Sequence, residues 1–247
     1  MRISEDIYLV GSGKLGFDWT DGADCNIYLI HTGAGALLID SGAGQSVDQI
    51  CRNITDHGFA LHDISHILLT HLHADHSGGA AELKRRTGAK LALLDEAAAV
   101  LEAGDEAGID LPRAVEAGFY PGNYRWNPCS AELLLHSGDT LRIGGYAFRV
   151  LHTPGHSAYD TCFYMEGRGR EPVLISGDTV MYGGRISMLN THDFRLDKLA
   201  ASMGLLAGLE PEILLPGHGQ PALSRAAEHV RRAHHIFSSL GIPQNIG

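Results

Sequence analysis

The feature that most constrains this chain is a six-residue run, His71-Leu72-His73-Ala74-Asp75-His76. Three imidazoles and a carboxylate in so short a stretch are costly to bury unless something uses their lone pairs. The apolar stretch Ile64–Thr70 precedes the run and has the pattern of a buried strand. The run therefore falls where the chain leaves a sheet, and such loops are where rigid scaffolds place function. Imidazole and carboxylate donors suit zinc, iron or manganese. An H-x-H-x-D-H run is far more specific for a metal than a lone H-x-H.

Four other segments share one grammar: an apolar stretch, a glycine-containing turn, and a His or Asp. They are Asp40-Ser41-Gly42, Thr153-Pro154-Gly155-His156, Gly177-Asp178-Thr179 and Pro216-Gly217-His218. Glycine permits the tight backbone that lets short side chains converge. Singly each is weak. His156 reads equally well as a core or surface histidine, Asp178 as a helix cap, and Asp40 as a plain turn residue. Together and in this order they reinforce one another.

The elements between them alternate in type. Strands are expected at 7–10, 27–30, 36–39, 91–94, 133–135, 140–143, 147–151, 161–165, 173–176 and 213–215. A helix should open at Ser46, with Gln49 completing a capping box, and stop at Gly58. Others are expected over 77–86 and 96–102, after an Asp193 cap, and from Ser224 onward. Residues 104–130 are less regular, with Pro112, Pro121, Pro128 and the aromatics Phe119, Tyr120, Tyr124 and Trp126. They read as an insertion, either a surface loop or a lid over the site. No low-complexity linker breaks the chain, so a single domain over residues 1–247 is expected, with sheets inside and helices outside.

Composition excludes several classes. A net charge of -10 argues against a nucleic-acid partner, which needs a basic footprint. No stretch approaches the roughly 18 apolar residues of a membrane helix. Residues 1–13 lack the long apolar run of a signal peptide. Cys25, Cys51, Cys129 and Cys162 are scattered, as reduced thiols of a cytoplasmic protein would be.

The order THLHADHSGG, TPGHS, SGDTV, PGHG resembles the metallo-β-lactamase superfamily over essentially the whole chain. The resemblance implies an α+β fold, a four-layer αββα sandwich. Carried over by position, it assigns His71, His73 and His156 to one metal and Asp75, His76 and His218 to a second, with Asp178 bridging them. Asp40 matches a position that orients a ligand histidine through its other nitrogen. The implied cofactors are two divalent ions, zinc first, with iron or manganese compatible. The implied chemistry is hydrolysis by a hydroxide shared between the metals, the pKa of water falling from about 15.7 to about 7. Asp75 and Asp178 are the carboxylates closest to that chemistry.

The same resemblance narrows the reaction. True β-lactamases of the superfamily carry Cys or Ser where Asp178 stands. The diiron flavoproteins carry Glu where His73 stands. RNA-processing relatives need nucleic-acid-binding parts that an acidic chain does not suggest. What remains is cleavage of a small-molecule carboxylic ester, lactone or thioester. The 22-residue spacing from His156 to Asp178 is similar to that in quorum-quenching lactonases and close to that in glyoxalase II enzymes. The lactonases place a Tyr three residues after the bridging Asp; here that residue is Met181, and Tyr182 comes one later. About thirty residues follow His218, too few for the helical glutathione-binding domain of glyoxalase II enzymes. Arg185 falls near one of their basic contacts. Tyr182, Arg185, Tyr120 and Trp126 are the candidate substrate contacts, with the aromatic insertion as an apolar wall. An exposed edge of that insertion could also pair subunits into a homo-oligomer. Two other classes fit the same residues: a mononuclear-iron oxidoreductase resembling persulfide dioxygenases, and a non-catalytic metal-binding module.

Overall fold

Runs of β-branched and leucine residues set the strands, and the turns between them are marked by Gly, Asp and Asn. In a computed structural model, which describes residues Met1 to Ile246, these runs form two mixed sheets, one in each of two compact units, 1–135 and 136–247.

The first unit holds six strands: β1 (Ile7–Gly11), β2 (Ile27–His31), β3 (Ala36–Ile39), β4 (Ile64–Leu68), β5 (Lys90–Leu94) and β6 (Leu133–Leu135). They lie in sequence order across the sheet. β1, β2 and β3 pair antiparallel, and β3 to β6 pair parallel. Every residue of β3 is buried, as a central strand covered on both faces requires. Helices α1 (Val47–Asp56), α2 (Ala74–Ser77), α3 (Ala80–Thr87) and α4 (Asp95–Ala103) follow β3, β4 and β5. Crossovers of this kind are what parallel strands need. A short α5 (Leu111–Glu116), with Pro112 in its first turn, lies inside the 104–130 stretch.

The second unit orders its strands β11 (Ile213–Pro216), β10 (Arg170–Gly177), β9 (Thr161–Gly167), β8 (Tyr146–His152) and β7 (Thr140–Ile143). Only β10 and β11 pair parallel. Helices α6 (Leu196–Leu206) and α7 (Ala226–Ser238) pack Leu199, Met203, Leu206, Val230 and Ala233 against Leu174 and Leu214.

The strand expectations hold to within three residues at each end. Helix α1 opens after Ser46 as expected, but two expected caps and one expected start differ, because of tertiary partners. Ser46 stands before α1 but makes no side-chain cap; its hydroxyl donates instead to the buried carboxylate of Asp24, at 2.6 Å. Asp193 does not cap α6. Its carboxylate accepts from the Ala158 amide at 2.8 Å, and the helix opens at Arg195. The helix expected over 77–86 starts later, as α3 at Ala80, because α2 ends at Ser77 and Gly78-Gly79 separate the two.

Gly155 is the clearest case of required glycine. Its φ is +148°, and a Cβ there would overlap Leu199 N and Cα at the start of α6. Gly155→Ala is expected to cost about 3 kcal/mol or more, combining backbone strain and overpacking. Denaturant unfolding checks this, and a loss under 1 kcal/mol would contradict it.

Candidate metal centre

The residues picked from the sequence for metal binding lie at or just beyond the ends of β3, β4, β8, β10 and β11, with Asp75 and His76 on the short α2. Four of the seven family ligand positions fall in the first unit and three in the second.

In the first unit, β4 delivers Thr70 and the run 71–76 onto α2. His71 and His76 are 2 % and 0 % exposed. His71 Nε2 and His73 Nδ1 face each other at 3.1 Å, and His76 Nε2 lies 3.6 Å from an Asp75 oxygen. Asp40, at the end of β3, organises the other side of these rings. Its carboxylate accepts from the Thr70 amide (2.7 Å), the Thr70 hydroxyl (2.9 Å) and His76 Nδ1 (2.8 Å). A carboxylate only accepts, so His76 Nδ1 carries a proton, and in the neutral ring Nε2 keeps its lone pair. The Thr70 hydroxyl gives its single proton to Asp40, so its 3.1 Å contact with His71 Nδ1 is one it accepts. His71 Nε2 is thereby also left with its lone pair. Asp40 holds a left-handed φ of +61°, a conformation Asp tolerates better than most residues.

The loop itself is held by backbone. The Asp75 carbonyl accepts from the Cys25 amide at 3.2 Å, and the His76 carbonyl accepts from the Ser41 amide and hydroxyl at 2.8 and 2.7 Å. Those carbonyls are taken from the α-helical ladder, which is why α2 ends after one turn. The Gly79 amide donates to Gly42 instead, and a Cβ on Gly79 would strike the Ser41 carbonyl.

In the second unit, Asp178 follows Gly177 at the end of β10. Its Oδ2 lies 3.4 Å from His156 Nε2 and 3.4 Å from His218 Nε2. All three side chains are buried. His156 Nδ1 donates to the Ser187 carbonyl at 3.0 Å, which fixes its tautomer and leaves Nε2 as the donor atom toward a metal. One carboxylate oxygen therefore faces two imidazole nitrogens. These nitrogen and oxygen donors, with the outer nitrogens of His76 and His156 already committed, fit divalent zinc, iron or manganese.

Two neighbours carry no motif signal. Cys25 offers its sulfur within 4.8 Å of Asp40 and His76 donor atoms, but burial pushes its thiol up to about 12, so it stays neutral. Asp160 is fully buried beneath the His156 loop and accepts from the Ser157 amide and hydroxyl at 2.7 and 2.6 Å. Burial raises its carboxyl to about 6, against the pull of His156 and those hydrogen bonds. Only the structure reveals either role, since a lone Cys and an Asp four residues past a histidine have no distinctive spacing.

The candidate substrate contacts are placed unequally. Tyr182 is 42 % exposed and lines a cavity of about 290 Å³ with Gln220, Ser224, Arg225 and His229. Arg185 donates to the Asn245 and Ile246 carbonyls at 3.1 Å and so ties down the C-terminal segment. Tyr120 and Trp126 are buried, at 8 % and 3 % exposure. Tyr120 stacks on Tyr124 at 4.6 Å, and its phenol is held well above the ordinary range by burial and by the Asp75 carboxylate. Among the described residues no helix is long and apolar enough to cross a membrane.

Comparison with known proteins places these features in a family. The metallo-beta-lactamase superfamily model matches residues 20–218. A thioesterase of Emericella nidulans is 30 % identical over 201 residues, covering 81 % of this chain and 47 % of that protein. An atrochrysone carboxyl ACP thioesterase of Passalora fulva is 29 % identical over 184 residues, 74 % of this chain and 44 % of that protein. The chain thus spans about half the length of these curated relatives. Among solved structures, a subclass B3 metallo-beta-lactamase of Bradyrhizobium japonicum superposes with a TM-score of 0.73 at 25 % identity, over 97 % of this chain and 91 % of that one. The metallo-beta-lactamase GOB-18 of Elizabethkingia meningoseptica gives 0.75 at 23 %, over 97 % and 89 %. The αββα class of fold, two mixed sheets flanked by helices, is therefore shown, and the chain belongs to the metallo-β-lactamase superfamily.

Proposed function

We propose that the protein is a metal-dependent hydrolase of carboxylic thioesters, with esters and lactones as related substrates. The observation that carries this reading is Asp178, one of whose oxygens, Oδ2, is equidistant from His156 and His218. The relatives named as thioesterases support the choice of thioesters among acyl substrates.

In this reading His71, His73 and His156 would hold one ion, and Asp75, His76 and His218 the other, with Asp178 available to both. When bound, such ions lower the pKa of water and polarise the scissile carbonyl. The chain's own work is positional. Asp40 and Ser187 hold the imidazoles in the tautomer that presents Nε2. Asp75 and Asp178 add negative charge that offsets the cations. Tyr182, beside its cavity, is the assigned substrate contact, whereas Arg185 acts on substrate only through the C-terminal segment it holds. A cytoplasmic setting is supported by four cysteines that are all free, three of them buried.

The test is a panel of acyl thioesters, esters and lactones assayed before and after chelation. Thioester turnover should fall by at least ~10³-fold on metal removal, about 4 kcal/mol, and return with zinc, iron or manganese. Turnover that survives chelation would refute the reading. Consumption of oxygen with a persulfide substrate would favour an iron oxygenase instead.

A further inference from the structure

The 104–130 stretch contacts the metal loop through groups that neither the family pattern nor the proposed reaction uses. Trp126 is 3 % exposed, and a buried indole N–H needs an acceptor. It donates to Ser77 Oγ at 2.9 Å. Ser77 is fully buried at the end of α2, and its own proton is directed at the carbonyls of Leu72 (2.8 Å) and His73 (3.1 Å). Those two carbonyls belong to the peptide units on either side of His73. Their orientation sets the backbone from which His71 and His73 are aimed.

A second strut lies beside the first. The Tyr124 hydroxyl donates to the Ala43 carbonyl at 2.8 Å, and a Cβ on Gly78 would strike that hydroxyl. The Ala43 amide is in turn bound by the buried Asp24 carboxylate at 2.8 Å. The segment is thus fastened onto the loop on one side, while the Asp40 turn holds it on the other. Hydrogen bonds to buried backbone are a poor basis for a swinging lid and a good one for a support.

We propose that Trp126 is a positioning residue of the metal loop: by occupying the Ser77 oxygen it commits the Ser77 proton to the Leu72 and His73 carbonyls, which keeps His71 Nε2 and His73 Nδ1 facing one another. The proposal rests on the reading of that loop as a metal holder. Without the indole N–H, the Ser77 hydroxyl is free to rotate and the loop gains conformations in which the two nitrogens diverge.

The experiment uses the full chain, stripped of metal, as Trp126→Phe, Ser77→Ala and the double variant. A fourth protein carries benzothienylalanine at position 126, which keeps the bicyclic shape and lacks the N–H, in case Trp126→Phe fails to fold. Zinc is titrated against a competing chelator, and amide exchange is followed in the metal-free proteins. Loss of the N–H should weaken zinc binding about tenfold, at the lower end of the effect of outer partners of metal ligands. Amides of residues 71–79 should exchange about tenfold faster, with those of β3 and β5 unchanged. In the Ser77→Ala background, Trp126→Phe should add no further loss. The proposal is overturned by unchanged affinity and exchange, by faster exchange throughout the first unit, or by a further tenfold loss in the double variant. A wild-type protein that binds no zinc, iron or manganese would refute the metal reading, and the exchange result would still decide whether Trp126 orders the loop.

Discussion

Asp178→Ala is expected to lower kcat/KM for the best thioester by at least ~10³-fold, about 4 kcal/mol of transition-state stabilisation. His156 Nε2 and His218 Nε2 each lie 3.4 Å from one Asp178 oxygen, so a single truncation removes the group that both imidazoles share. The charge is removed along with the geometry, because Asp178 is the only carboxylate among the three family ligand positions of the second unit. The fold should persist. Asp178 lies beyond the last residue of β10, and Gly177, with its φ of +47°, makes the turn whatever side chain follows. Far-UV circular dichroism should therefore match wild type while activity and metal content fall together. Wild-type kcat/KM in this variant would remove the carboxylate from the mechanism.

Asp40→Asn should act at one remove. Asn tolerates the left-handed backbone at this position and keeps one oxygen for the Thr70 amide. The NH₂ that replaces Oδ2 would face His76 Nδ1, now 2.8 Å from a carboxylate oxygen. Two donors cannot face each other, so the ring must move its proton to Nε2, the nitrogen needed for the metal. Affinity for the ion held by Asp75, His76 and His218 should fall about 10- to 100-fold, the range seen for outer partners of ligand histidines. Stability of the metal-free protein should change by no more than about 1 kcal/mol. Metal titration with a competing chelator reads the first quantity and denaturant unfolding the second. Equal losses in both would mark Asp40 as a structural residue only.

The strands and the candidate metal run 71–76 were legible because each rests on a local rule, whereas His156, Asp178 and His218 were weak singly and took their ligand roles only through the family resemblance. Buried strands such as Leu37-Leu38-Ile39 must be apolar throughout, and a metal ligand must be His, Asp, Glu or Cys at a short spacing. What the sequence hides is where a polar side chain sends its hydrogen bond. Ser46 and Asp193 have the chemistry of helix caps, yet tertiary partners, Asp24 and the Ala158 amide, take them away. The break between α2 and α3 follows from Cys25 and Ser41 capturing carbonyls 35 or more residues further along, a pairing no window of sequence contains. Trp126 shows the same limit. An aromatic in an irregular, proline-containing stretch reads as a wall or a lid, and its bond to Ser77, on which the proposed positioning role rests, is visible only in the structure.

In the proposed function these seven side chains hold two divalent ions. Elemental analysis after dialysis of the full chain against zinc tests it most directly. Two equivalents per chain in the wild type, and fewer in His73→Ala with its secondary structure intact, is the expected result. Less than one equivalent in the wild type, or an unchanged count in His73→Ala, would contradict it.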